Sequence, residues 1–252
     1  MDGTYNQANV TGTSSSCSAP EIIPNRNSPR ILNSSQFCLA QRSDGNLVYD
    51  SPEETDQYLH KKQGSAYPNF QGTCGLCSCA NILRLAGVCA TEAQMITYAA
   101  ATENPFAPPF AVANKLCATG FPNPGINGGT SPRTRQLILK HFGVNSFLEN
   151  ILLENDGSLS SKNLALISDY VCSGRGVILS VHAKVLWRNV AVGDDNDFHA
   201  VTVTSVKKDV SGNILGFYIC DSANNGTTYY QSSHLLRALT GSPMNVTQCV
   251  IR

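Results

Sequence analysis

Apolar residues fall into a helical rhythm from residue 76. Leu76, Cys79, Ala80 and Leu83 sit at i, i+3, i+4 and i+7, which predicts a helix that opens at Cys74, takes Thr73 as its N-cap and ends at Gly87. Thr91-Glu92-Ala93-Gln94 has the form of a capping box and predicts a second helix running to about Ala101. Ser131-Pro132 predicts a third, carried by Leu137, Ile138, His141 and Phe142 and stopped by Gly143. Ser161 to Cys172 predicts a fourth, closed by Gly174. The pattern then changes. Val177 to Val181 reads as a buried strand, and Phe198 to Val206 as a strand with β-branched residues at Val201 to Thr204. A turn at Asp209 to Asn213 leads into a returning strand, Ile214 to Asp221. Thr227 to Tyr230 and Val246 to Ile251 are further strands, with a short helix from Ser233 between them. Helices first and an antiparallel sheet second predict an α+β fold rather than alternating βαβ units.

The stretch before residue 67 has another character. Residues 1–35 are dominated by Ser, Thr, Asn and Pro without a sustained period and read as a flexible polar lead-in. Phe37 to Tyr49 predicts a hairpin turned at Asp44-Gly45, and Ser51-Pro52-Glu53-Glu54 predicts a helix start that stops by Gly64. The expected organisation is a lead-in (1–35), a hairpin-and-helix appendage (36–66) and a main domain (67–252). Residues 104–132, rich in Pro, Gly and Asn, predict a long surface excursion of the kind that frames a site.

A formal net charge of +0 gives no footprint for nucleic acid or an anionic membrane, and no apolar run is long enough to span one. The N-terminus lacks the basic and apolar regions of a signal peptide, so the protein is expected in the cytosol or exported by a signal-independent route. The Asn-x-Ser/Thr sequons at Asn9, Asn33, Asn225 and Asn245 are then read as chance. Ten cysteines do not form a small disulfide framework. Cys74, Cys77 and Cys79 lie too close together on one helix to bridge comfortably, and Cys89, Cys117, Cys172 and Cys220 sit in apolar contexts and read as buried thiols. No metal is expected: Cys79 points away from Cys74, no second ligand pair follows, and the acidic loop Asp194, Asp195, Asp197 reads as solvated.

What remains is nucleophile chemistry. A thiol at a helix N-terminus faces unpaired N–H groups and the positive end of the dipole, which favour the thiolate; Cys74 is so placed. Its base is sought among five histidines. His199 starts a strand, on the same face as Val201 and Val203, and the partner strand ends in Asp221. Adjacent strands bring the two together if the register fits. His182 lies in an apolar strand without a carboxylate partner strand and reads as a core or supporting residue. His60, His141 and His234 fall on predicted helices and read as surface or packing residues. Asn224 is an alternative orienting group, less favoured by position than Asp221.

Gln71-x-x-Cys74-Gly75 before a helix, His199-Ala-Val-Thr-Val on a strand, and Gly216-Phe-Tyr-Ile-Cys-Asp221-Ser followed by Gly226 resemble the papain-like cysteine peptidases of the double-glycine leader peptidase (bacteriocin-processing) type. The helix after Gly128-Gly129-Thr130-Ser131 and the strand Val177 to Val181 are similar to elements there, so the resemblance covers about residues 67–230. It implies a papain-like fold with Cys74 as nucleophile, His199 as general base and then acid, Asp221 as its orienter, and Gln71 in the oxyanion hole with the Cys74 N–H. Ser222 departs from the proline usual after the aspartate, and a transporter's membrane segments are absent. The same fold and triad occur in bacterial toxins and effectors. The expected activity is therefore thiol hydrolysis of a peptide or protein, including a host or competitor-cell protein, without cofactor. Glutamine deamidation on the same fold, or a degenerate binding module, are the alternatives.

Overall fold

A computed structural model describes residues 62–107, 114–188 and 198–251, together with Leu59 and the backbone of two short strands, β1 (Cys38–Gln41) and β2 (Leu47–Tyr49). These strands pair antiparallel, as a hairpin over this stretch predicts; its turn and the predicted helix from Ser51 lie outside the described residues. The helices are α1 (Cys74–Leu85), α2 (Glu92–Ala101), α3 (Pro132–His141), α4 (Lys162–Cys172), α5 (Ala183–Arg188) and α6 (Ser232–Ala238). The remaining strands are β3 (Ser146–Glu149), β4 (Val177–His182), β5 (Phe198–Lys208), β6 (Ile214–Asp221), β7 (Gly226–Gln231) and β8 (Met244–Thr247).

The strands form one eight-stranded antiparallel sheet built around β5. Along one edge β5 pairs with β6, which pairs with β7. Along the other it pairs with β4 over its first half and with β2 over its last residues, so the hairpin before the main domain is hydrogen-bonded into the main sheet. β8 and β3 continue the sheet beyond β4. Strand alternation divides the core into two layers. Val177, Leu179, Val181, Val201 and Val203 pack with α4, α5 and α6, whereas Ile178 and Ala200 pack with α1, α2 and α3. Both faces of β4 are thus covered, which is why it reads as a continuous apolar run.

α1 is buried from Gly75 through Leu83, a central helix rather than a surface one. Its Leu76 and Leu83 are fully buried, each stabilising the fold by about 1.5–3 kcal/mol through apolar burial. α2 and α3 start as predicted, with capping boxes closed by Thr91 and Gln94 and by Ser131 and Thr134. Three expectations need correction. Thr73 stands at the N-cap of α1, but its hydroxyl donates to the Glu92 carboxylate and caps nothing. Of the thiols read as buried, Cys89 is exposed and Cys172 half-buried. The last strand lies at Met244–Thr247, earlier than Val246 to Ile251.

Candidate active site

α1 brings Cys74 to the sheet as its first helical residue. The first intrahelical bond runs from Cys77 N to Thr73 O, so the amides of Cys74, Gly75 and Leu76 have no partner within the helix. Residue 75 must be small, because a Cβ there would stand 1.9 Å from Thr130 Oγ1 and 3.3 Å from Arg135 Cδ. The half-buried Cys74 sulfur accepts the Ala200 N–H at 3.4 Å, and one turn on Ser78 Oγ donates to the Ala200 carbonyl at 3.2 Å. These two bonds pin the start of β5 across the start of α1.

His199 precedes Ala200, and its side chain projects to the opposite face of the strand. In the β5–β6 ladder Thr202 is opposite Cys220, which sets Asp221, the last residue of β6, beside His199. The ring Nε2 lies 2.7 Å from Asp221 Oδ1, with both residues buried. The Ala200 N–H on the Cys74 sulfur sets the same imidazole beside the thiol, with which it interacts electrostatically. Asp221 accepts three further donors: Ala223 N on Oδ1 at 2.8 Å, and Trp187 Nε1 and Asn224 Nδ2 on Oδ2 at 2.6 and 3.1 Å.

The electrostatics follow from these contacts. Burial pushes the Cys74 thiol up, but the His199 hydrogen bond and charge, the Ala200 N–H and the charge of Arg135 outweigh it, so its pKa lies below the ordinary thiol value. Burial disfavours the His199 imidazolium, yet Asp221 and Cys74 more than compensate and raise its pKa to about 10. Burial likewise raises Asp221, and the bonds from His199, Trp187 and Ala223 bring it below the usual carboxylate range. The arrangement favours a thiolate–imidazolium pair held by a carboxylate, suited to nucleophilic attack followed by proton donation.

Cys74, His199 and Asp221 are thus brought together. The Gln71 side chain is not: its Nε2 donates to the carbonyls of Gly64 and Pro68 at 3.3 and 3.2 Å. Gln63, which sequence reasoning passed over, spans the gap between the triad and the chain entering α1. Its N–H and Oε1 bond the carbonyl and hydroxyl of Ser222, at 2.9 and 3.1 Å, and its Nε2 donates to Gln71 O at 3.1 Å.

Two more residues emerge only in three dimensions. Trp187 packs edge-on against His199, with centroids 5.3 Å apart, besides donating to Asp221. Its one signal in the sequence is that it is the single tryptophan. Glu92, 1% exposed, accepts the N–H groups of Gly64, Ser65 and Ala66 and the Thr73 hydroxyl, tying the loop after Gln63 to the residue before Cys74.

The other described histidines are engaged elsewhere: His182 packs on Phe198, His141 stacks on Tyr98, and His234 bonds the Val185 carbonyl. His60 and the acidic loop at Asp194, Asp195 and Asp197 lie outside the described residues, among which no metal-binding cluster is found. No described helix is long and apolar enough to cross a membrane.

Among solved structures, a C39-like peptidase from Bacillus anthracis superposes with a TM-score of 0.51 at 13% identity, over 75% of this chain and 93% of that one. The fold is therefore the papain-like α+β fold of such peptidases. A double-glycine motif protease from an AMS/PCAT transporter, solved with its leader peptide, gives a TM-score of 0.36 at 13% identity, over 69% of this chain and 83% of that one. Uncharacterized proteins of Mycobacterium tuberculosis and Mycobacterium bovis are 27% identical over 142 residues, 53% of this chain and 58% of each relative, so the match spans little more than half their length. No family model matches the chain.

Proposed function

We propose that the protein is a cysteine peptidase that hydrolyses a peptide or protein through Cys74, His199 and Asp221. One observation carries this reading: the His199 imidazole lies 2.7 Å from a buried carboxylate, and the next residue of the same strand, Ala200, donates its N–H to the Cys74 sulfur at 3.4 Å. The Cys74 thiolate attacks the scissile carbonyl carbon, and the oxyanion forms beside the free amides at the start of α1. The His199 imidazolium gives its proton to the leaving amine, and a thioester remains. Water then attacks the thioester, His199 takes a proton from it, and the acid product leaves as the thiolate is restored. Asp221 keeps the ring in place throughout and stabilises its charge.

The second oxyanion donor is a side-chain amide from the turn before α1. The resemblance assigns it to Gln71. Gln63 has the better support, since Ser222, next to Asp221, holds its amide and among the described residues a single bond, to Gln71 O, engages its NH2, whereas the Gln71 NH2 is engaged by both Gly64 and Pro68. Loss of one such donor lowers kcat on the order of 100-fold or more, so Gln63→Ala is expected to show that loss and Gln71→Ala a smaller one. The reverse order assigns the donor to Gln71.

The activity is tested by incubating wild-type and Cys74→Ala protein with mixed peptides and sequencing the products by mass spectrometry. New backbone termini that require Cys74 support hydrolysis of peptide bonds. Conversion of Gln to Glu without new termini makes the protein a deamidase on the same thioester chemistry.

A further inference from the structure

Two thiols one helical turn apart open α1, and the second faces a buried carboxylate. Cys74 is half-buried and Cys77 fully buried. Cys77 Sγ lies 3.7 Å from Glu92 Oε1 and 3.9 Å from Thr73 Oγ1. Cys79 turns elsewhere, to the Arg135 carbonyl at 3.9 Å. The sequence argues against a bridge among these three, and for Cys79 the structure agrees. The pair Cys74 and Cys77 differs because it occupies the first turn. Helical i and i+3 positions place their Cα atoms ~5 Å apart, within the ~4.4–6.8 Å that a disulfide spans. Their Cβ atoms, ~5–6 Å apart in a regular helix, have to close by ~1–2 Å. The Cys74 backbone has that freedom, because its amide makes no bond within the helix, and its sulfur leaves the Ala200 N–H as it turns toward Cys77.

We propose that Cys74 and Cys77 form a reversible dithiol–disulfide site, in which a peroxide oxidises Cys74 and Cys77 resolves the product with Glu92 as proton acceptor. In the first step the Cys74 thiolate attacks one oxygen of hydrogen peroxide. The O–O bond breaks, Cys74 becomes a sulfenic acid, and hydroxide leaves as water after taking a proton. In the second step Cys77 sulfur attacks Cys74 sulfur. The S–S bond forms, the S–O bond breaks, and the departing hydroxide leaves as water with the proton that Cys77 released to Glu92. Two thiols and one peroxide thus give one disulfide and two waters.

The two sulfurs are unlike in the way this division of labour needs. Cys74 is the accessible one and its pKa is lowered, whereas burial and the Glu92 charge hold Cys77 well above the ordinary thiol value. Cys77 therefore waits as a protected thiol until a sulfenic acid forms beside it. The bond removes the nucleophile. That loss of hydrolysis alone rests on the peptidase reading, while formation of the bond does not.

The test uses the full reduced chain, hydrogen peroxide, then denaturation and alkylation with iodoacetamide. The tryptic peptide from Gln63 to Arg84 carries Cys74, Cys77 and Cys79 together. After oxidation it is expected to lack two hydrogens and to carry a single alkyl group, on Cys79; dithiothreitol should restore three alkylatable thiols. In Cys77→Ser protein Cys74 should pass on to sulfinic acid, and its labelling after dithiothreitol should fall at least about tenfold below wild type. Three alkylated cysteines or a Cys74 sulfinate in peroxide-treated wild type overturns the proposal, as does full dithiothreitol recovery in Cys77→Ser. Should that variant not fold, the wild-type peptide decides alone. Because the readout is the thiol itself, the result is independent of whether any peptide is cleaved.

Discussion

Replacing Asp221 by Asn keeps its volume and removes its charge, and the structure fixes what that does. Asp221 accepts from four donors, two on each oxygen: His199 and Ala223 on Oδ1, Trp187 and Asn224 on Oδ2. An Asn amide has one oxygen, so in either orientation its NH2 faces two donors. The less costly orientation keeps oxygen toward His199 and Ala223, since Asn224 can turn its own amide, and leaves the Trp187 N–H without an acceptor at about 1–3 kcal/mol. The catalytic consequence is separate. A hydrogen bond to a charged group contributes about 1.5–3 kcal/mol, and losing the charge at 2.7 Å withdraws that support from the imidazolium. The ratio of thiolate–imidazolium to thiol–imidazole then falls by about 10- to 150-fold at ~1.4 kcal/mol per tenfold. The assay is the rate of Cys74 alkylation by iodoacetamide against pH, with circular dichroism confirming the fold. Asp221→Asn should move the acid inflection of that profile upward and slow alkylation below neutrality by up to this factor. An unchanged profile in a folded Asp221→Asn protein would show that the Asp221 charge does not support the imidazolium.

Other consequences follow from the same contacts. Peptide hydrolysis should have a broad pH plateau. Its acid limb lies below the ordinary thiol range, where the thiolate is protonated, and its alkaline limb near about 10, where His199 loses the proton it must donate. A limb near the free-histidine value would contradict the pairing. Trp187→Phe keeps the ring edge against His199 but loses the bond to Asp221, and steady-state kinetics should show kcat lowered by about tenfold, a loss of ~1.4 kcal/mol, with KM little changed. Gly75→Ala forces a Cβ against Thr130; a cost of about 1–3 kcal/mol should lower the melting temperature by roughly 2–10 °C in thermal denaturation.

How legible all this was depended on whether a signal is local. The α2 and α3 starts were, because each capping box is closed by residues three apart, and so was β6, bounded by a turn and by Asp221. α5 was not: its Val185, Leu186 and Trp187 prolong the apolar run of β4, and it is a six-residue helix with no cap signal. β3 is a four-residue, mostly half-buried strand without flanking turn residues that stand out. β8 begins earlier than expected because Asn245, polar by composition, is buried and bonded to Arg135 and to the Pro132 carbonyl. At the site, Cys74, His199 and Asp221 were readable because each stands at the end of a predictable element. Gln63, Glu92 and Trp187 act through partners on distant elements, such as Gln63 on Ser222, Glu92 on Gly64 and Trp187 on Asp221, and no short-range pattern encodes such contacts.

The most direct test of the central claim compares wild-type protein, Cys74→Ala and His199→Ala on one mixed-peptide substrate, with product termini read by mass spectrometry. New backbone termini are expected with wild type, none with Cys74→Ala, and a rate lowered by about 100-fold or more with His199→Ala. Cleavage that survives Cys74→Ala, or the conversion of glutamine to glutamate with no backbone cut, would contradict that claim.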